Sequence, residues 1–330
     1  MQGSFFKRRV SQVDVSSVAN GKVITCIGGG NIDRKAVAKK AIRYYSSNPV
    51  TMIESFGGVA RNVAQNLSQL GNKVSFLSII GNDSEGQSLL ADTKGKNIDT
   101  NLVEVSATGR TGTYTALLDI DGEMIISLAD MDIYDQLTPA LIESKWAHIG
   151  ASQAVFMDTN IPHETIDYLI RRCRQEKIPL FVDPVSSVKS KKLPQDLTGI
   201  EVILPNLEEA EELSGIKIAT SADYSIVAAA IRDRGVKSVV ITLGSEGVFY
   251  FAPVASGKLM PHQVEIVDVT GAGDALTAGV LLGVVHGHSL KEACRYGLAA
   301  AALALGTKQS VAEDLSFEKI AAFMKERELL

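Results

Sequence analysis

Two apolar periods alternate along this chain, and their alternation predicts its architecture. From Lys22 onward, short unbroken runs rich in β-branched residues (Val23–Ile27, Leu180–Val182, Val202–Leu204, Val239–Thr242) are spaced by stretches of helical period. Val59–Leu70, closed by Gly71, Glu85–Gly95 and Glu164–Lys177 read as helices. Val74–Ile80 reads as one further strand, and Trp146–Gly150 and Ala154–Met157 as strand ends. Strands alternating with helices in this way predict a mostly parallel sheet with helices on both faces. Two places break the rhythm. Thr113–Asp119 and Glu123–Leu128 are extended and meet at Asp121-Gly122, a type I′ hairpin dipeptide, and Val50–Ser55 is extended with no helix before it. Strands inserted into an α/β domain either pack over a ligand crevice as a lid or form a surface excursion.

Composition narrows the classes. With 330 residues, 45% hydrophobic and 22% charged, the chain is an ordinary globular protein. Residues 21–330 are expected to form a single domain. Lys and Arg number 33 against 38 Asp and Glu, a net charge of −5, so no surface for nucleic acid is expected. Cys26, Cys173 and Cys294 show no metal-ligand spacing and fit reduced thiols in the cytoplasm. No apolar run approaches the ~20 residues of a membrane helix. Residues 1–20 carry Phe5-Phe6 and Lys7-Arg8-Arg9 without the apolar core of a secretory signal, and are expected to be a flexible tail.

Five segments carry candidate chemistry. Asp268-Val269-Thr270-Gly271-Ala272-Gly273-Asp274 runs into an apolar helix, and glycines at a helix start leave N–H groups open to an anion such as phosphate. Asp274 reads either as a capping carboxylate or as a base beside a transferred phosphoryl group, and in that first turn it is expected to stay ionised. Thr242-Leu243-Gly244-Ser245-Glu246-Gly247 follows a strand, where open α/β sheets bind nucleotides, or is an ordinary turn. Asn206 and Glu209, three apart at a helix start, form either a capping box or a holder for the water shell of Mg²⁺. Gly28-Gly29-Gly30-Asn31-Ile32-Asp33 lacks the third glycine of a dinucleotide site. Asn31 and Asp33 suit vicinal hydroxyls instead, as do Gly57-Gly58 and Asn62 at the next helix start. The five histidines form no triad, and no Walker A pattern occurs.

Taken in order, these segments resemble the ribokinase-like (PfkB) carbohydrate kinase family over about residues 21–315. The fold implied is α/β: a ribokinase-like three-layer sandwich with a mostly parallel central sheet and a small β-lid from about residues 32–56 and 110–130. The activity implied is transfer of phosphoryl from ATP, with Mg²⁺, to a hydroxymethyl group of a sugar or nucleoside. On that resemblance Asp274 is the catalytic base and Gly271, Ala272 and Gly273 form the anion hole. Asn206, Thr242, Gly244 and Gly247 bind ATP, and Glu209 reaches Mg²⁺ through water. Asn31, Asp33, Gly57, Gly58 and Asn62 hold the sugar. Asp268 and Thr270 match half of a K⁺ site. Lys189 belongs to the substrate end or is an exposed lysine beside Lys191 and Lys192, and base contacts are expected in the lid and near Asp158-Thr159-Asn160. A homodimer through the lid is the implied assembly. Gly57–Gly71, Ala129–Ile133 and Asp183–Lys189 are most similar to pseudouridine kinases, whereas ribokinases carry Lys where Val59 stands. The alternatives are ribose, a purine nucleoside or fructose as acceptor, or a catalytically idle sensor.

Overall fold

The computed structural model describes residues 22–307 and 309–328; the expected tail, residues 1–20, lies outside them. Its strands are β1 (Val23–Ile27), β2 (Asn31–Ala38), β3 (Val50–Gly57), β4 (Lys73–Leu77), β5 (Ile79–Gly81), β6 (Ile98–Asp99), β7 (Glu104–Ser106), β8 (Thr113–Leu118) and β9 (Met124–Asp130), followed by β10 (Ala154–Asp158), β11 (Leu180–Asp183), β12 (Ile200–Ile203), β13 (Ser238–Thr242), β14 (Val248–Ala252) and β15 (Ala255–Leu259). Nine of them form one sheet in the order β15-β14-β13-β12-β11-β10-β1-β4-β6. All pairs from β13 to β6 are parallel, and only the β13–β14–β15 edge is antiparallel.

Both faces of this sheet are covered, which is why its strands read as unbroken apolar runs. Ile24, Cys26 and Phe156 pack on one side with helix α1 (Val59–Gln69) and the helices Ala272–Val285 and Leu290–Leu305. Ile27, Val155 and Met157 point to the other side, against His163–Glu176 and Asp223–Asp233. A second sheet of four strands, β3-β2-β8-β9, gathers the segments that broke the rhythm. β2 pairs antiparallel with β3 and parallel with β8.

Two element expectations are corrected. Val74–Ile80 is not one strand: β4 stays in the main sheet, while β5 leaves it to pair with β7. The break is at Ser78, whose hydroxyl donates to the Gly28 carbonyl at 2.6 Å while its own carbonyl accepts from Glu104 N. Trp146–Ile149 is a helical turn rather than a strand end. Trp146 anchors it by donating Nε1 to Glu176 Oε1 at 2.6 Å and stacking under Arg172, tertiary contacts that override a short ambiguous pattern.

Candidate active site

Parallel strands end together, and a ligand binds in the crevice outside their carboxyl ends. Here Gly28–Asn31 leaves β1, Asp158 ends β10, Asp183 ends β11, Asn206 follows β12 and Thr242 ends β13. Asp158 and Asp183 are direct partners in the β10–β11 register.

The helix Ala272–Val285 begins at this edge. Its N-cap is Gly271, at φ 79°, where an added Cβ would lie 1.7 Å from the Ser310 carbonyl oxygen. Only glycine closes this turn, and exposed Gly273 beyond it has open space around its backbone. Asp274 does not cap the helix, which has no side-chain cap. Its Oδ2 instead accepts from Asn62 Nδ2 at 2.8 Å, across to α1. Its ionisation also departs from expectation. Burial pushes the Asp274 carboxyl up to about 7; the Asn62 hydrogen bond opposes that rise, and the Asp158 and Asp33 carboxylates add to it.

Asn31, Asp33 and Gly57, expected at the sugar, lie together, and Gly58 and Asn62 lie at the start of α1. Asn31 Nδ2 donates to Asp33 Oδ1 at 2.6 Å. Gly57 faces Asn31 in the β2–β3 register, and a Cβ on it would fall 1.9 Å from Asp33 Oδ2, so Asp33 fills the space a side chain would take. Gly58 N-caps α1, one turn before Asn62. Burial raises the Asp33 carboxyl, while Asn31, Lys35 and Arg61 hold it down. Lys189 is half-buried rather than free in solvent: its Nζ donates to Asn160 Oδ1 at 2.5 Å, and burial lowers its ammonium against the pull of Asp158.

Asn206 and Glu209 realise the capping box. Glu209 N donates to Asn206 Oδ1 and Asn206 N to Glu209 Oε2, both at 2.9 Å, and Asn206 Nδ2 reaches Glu209 Oε1 at 2.7 Å. Burial raises the Glu209 carboxyl. A β-bridge joins Asn206 to Thr242, which brings that helix start beside the Gly244–Glu246 turn. Asp183 stands in the fields of both Glu209 and Asp274, so its carboxyl is raised well above the ordinary range, first by burial and then by those charges. The Asp268 carboxylate accepts from Thr270 N and Oγ1 at 2.8 and 2.7 Å and faces Lys35 Nζ at 3.5 Å.

The parts that hold this edge together have roles that sequence reasoning did not assign: Asp158 was expected only near base contacts, and Tyr134 was not singled out. Asp158 is fully buried; its Oδ2 accepts from Gly29 N and Ala60 N at 2.9 and 3.0 Å, and its Oδ1 from Asn160 N at 2.9 Å. Tyr134 donates its hydroxyl to the Gly30 carbonyl at 2.6 Å. An acidic residue ending an apolar strand was the signal for Asp158; nothing local marks Tyr134. Val185, a β-branched residue at φ 65°, is strained within the Asp183–Lys189 run, and Val185 N donates to Asp183 Oδ1 at 2.8 Å.

A glycine-led helix start at a parallel-sheet edge can receive a phosphate, and the chain is a phosphotransferase of ribokinase-like fold. It belongs to the pfkB family of carbohydrate kinases, whose family pattern matches residues 22–315. It is 33% identical over 308 residues to a pseudouridine kinase of Escherichia coli strain K12, covering 93% of this chain and 98% of that protein. A guanosine-inosine kinase of Exiguobacterium acetylicum is 29% identical, over 87% of this chain and 95% of the relative. Among solved structures, a carbohydrate kinase from Agrobacterium tumefaciens superposes with a TM-score of 0.81 at 30% identity, covering 92% of this chain and 97% of that one. The Arabidopsis thaliana ribokinase complexed with ribose and ATP, at TM-score 0.84 and 21% identity over 92% of this chain and 98% of that one, shares the fold.

Proposed function

We propose that this chain transfers the γ-phosphoryl group of ATP to the 5′-hydroxyl of pseudouridine, releasing pseudouridine 5′-phosphate and ADP. The observation that carries the kinase roles is the Asn62–Asp274 contact, which sets a carboxylate of raised proton affinity beside the open start of the helix Ala272–Val285. In this reading Asn31, Asp33, Gly57, Gly58 and Asn62 hold the ribosyl hydroxyls, and Lys189 with Asn160 belongs to the acceptor end. Asp274 accepts the 5′-hydroxyl proton as the new O–P bond forms. The N–H groups of Gly271, Ala272 and Gly273 receive the charge on the transferred group. Similarity to the Escherichia coli pseudouridine kinase supports the choice of nucleoside. An ADP-release assay over pseudouridine, guanosine, inosine, ribose and fructose tests it. The highest kcat/KM is expected for pseudouridine, by about tenfold or more, a gap worth roughly 1.4 kcal/mol. Faster turnover of a purine nucleoside or ribose reassigns the acceptor, and tight binding without turnover makes the chain a sensor.

No cluster of three or more His, Cys, Asp or Glu side chains that could hold a metal occurs among the described residues. The residues fit Mg²⁺ that arrives on ATP phosphates, an ion that keeps its waters and needs few carboxylates. When bound, it offsets phosphate charge; Glu209 meets its water shell, since both carboxylate oxygens already accept from Asn206. Glu209→Gln is therefore expected to shift the Mg²⁺ activation curve to higher concentration, with excess Mg²⁺ restoring part of the rate. Gln can keep the bond from Asn206 N and loses the one from Asn206 Nδ2, so a purely structural Glu209 predicts a lower melting temperature with an unchanged Mg²⁺ titration.

The four-stranded sheet acts in this reading as a lid that excludes water from the reaction. Exposed Met52, Ile126 and Leu128 are aligned on one face of it by the strand register, which supports pairing of two copies through the lid. The buried, free thiols Cys26, Cys173 and Cys294 fit a cytoplasmic setting.

A further inference from the structure

Arg61 heads the large side chains buried in the described molecule, at 2% exposure, and the reaction described above makes no use of it. Burying a guanidinium costs several kcal/mol before its partners compensate, and an apolar side chain of similar volume would serve packing as well. Its partners therefore matter. The guanidinium pairs with Asp92 of helix α2 (Ser84–Gly95), and Nε donates to Thr93 Oγ1 at 3.1 Å. Nη1 faces two carbonyl oxygens at 3.4 Å: that of Phe56 near the end of β3, and Oδ1 of Asn62.

The last contact has a chemical consequence. A side-chain amide has one accepting end and one donating end. With Oδ1 turned to the Arg61 N–H, the NH₂ end of Asn62 points at Asp274, where it donates at 2.8 Å. A flipped amide would set donor against donor at Arg61 and carbonyl against carboxylate at Asp274. We propose that Arg61, anchored through Asp92 and Thr93, is a positioning residue that fixes the Asn62 amide and thereby aims the Asp274 carboxylate at the acceptor hydroxyl. This rests on the reading of Asp274 as proton acceptor. The other charged groups facing Asp274 are Asp33 of β2, Asp158 of β10 and Asp183 of β11, all acidic; Arg61 and Lys35 are the cations that reach Asp33.

The test is the acidic limb of the pH profile of kcat/KM, taken with MgATP and the acceptor that turns over fastest. Asn62→Ala removes the hydrogen bond that holds Asp274 down and should move the limb upward by roughly half to one pH unit. Arg61→Lys keeps a cation for Asp92 but lacks the second arm that reaches Asn62. Its limb should move the same way, and the double variant should show no further shift. NMR titration of the Asp274 carboxyl in the ligand-free protein should give the same shifts without turnover. A limb that moves in Asn62→Ala and stays in Arg61→Lys overturns the proposal and leaves the Asp274 reading intact. If Asn62→Ala also leaves it in place, the reading of Asp274 falls with it. Melting temperatures are recorded throughout, and where Arg61→Lys fails to fold, Asp92→Asn takes its place with the same two outcomes.

Discussion

In the Asp274→Asn variant, kcat falls by about 10²–10⁴, the range for losing a positioned general base, while affinity for ATP stays the same or rises. Asn is isosteric and can still meet Asn62, but it carries no charge and takes no proton. ATP affinity rises if the deleted charge had repelled the γ-phosphate. Wild-type kcat/KM should climb as pH rises through about 7, because burial holds the Asp274 proton to that pH and only the ionised form accepts another. Above that pH the profile should be flat, and in the Asn variant this limb should vanish. Rate profiles from both proteins, with a melting curve for each, decide the matter. A small loss of melting temperature with near-normal turnover would make Asp274 a structural residue.

Gly271→Ala is expected to lower kcat by on the order of 10²–10³, the loss that follows removal of one donor from an oxyanion hole. The methyl group has nowhere to go. It would meet the Ser310 carbonyl at 1.7 Å from a backbone at φ 79°, so the turn must open and carry the N–H groups of Ala272 and Gly273 away from the proposed phosphoryl position. The residues proposed to hold the acceptor lie on β2, β3 and the start of α1, so KM for the acceptor should change little. Separate measurement of kcat and KM checks this. A raised KM with unchanged kcat would place the anion site elsewhere.

Sequence patterns carried the layered architecture and the strand edge at which the candidate residues lie. Helix periods and β-branched runs are local properties, so α1, β1 and β13 were legible within a residue or two, and Asp121-Gly122 marked the β8–β9 hairpin through its own backbone preference. Short pieces were not. Whether Trp146–Ile149 is strand or helix depends on Glu176 and Arg172, and the end of β4 depends on Ser78 reaching Gly28.

The residue types of the site were likewise written in the chain, because glycine, asparagine and aspartate at strand ends and helix starts have few structural uses that need that spacing. Their states were not. Asn62 and Asp274 are 212 positions apart, and only the fold makes one the partner of the other. The sequence placed Asp274 at a helix start, where dipole and backbone favour an ionised carboxylate. Tertiary burial, with Asp158 and Asp33 close by, reversed that and raised its proton affinity. Asn206 and Glu209 show the opposite balance, since their capping box links residues three positions apart and was legible without the fold. Spacing along a chain determines local hydrogen bonds; desolvation and the field of distant charges exist only once the strand ends have been brought together.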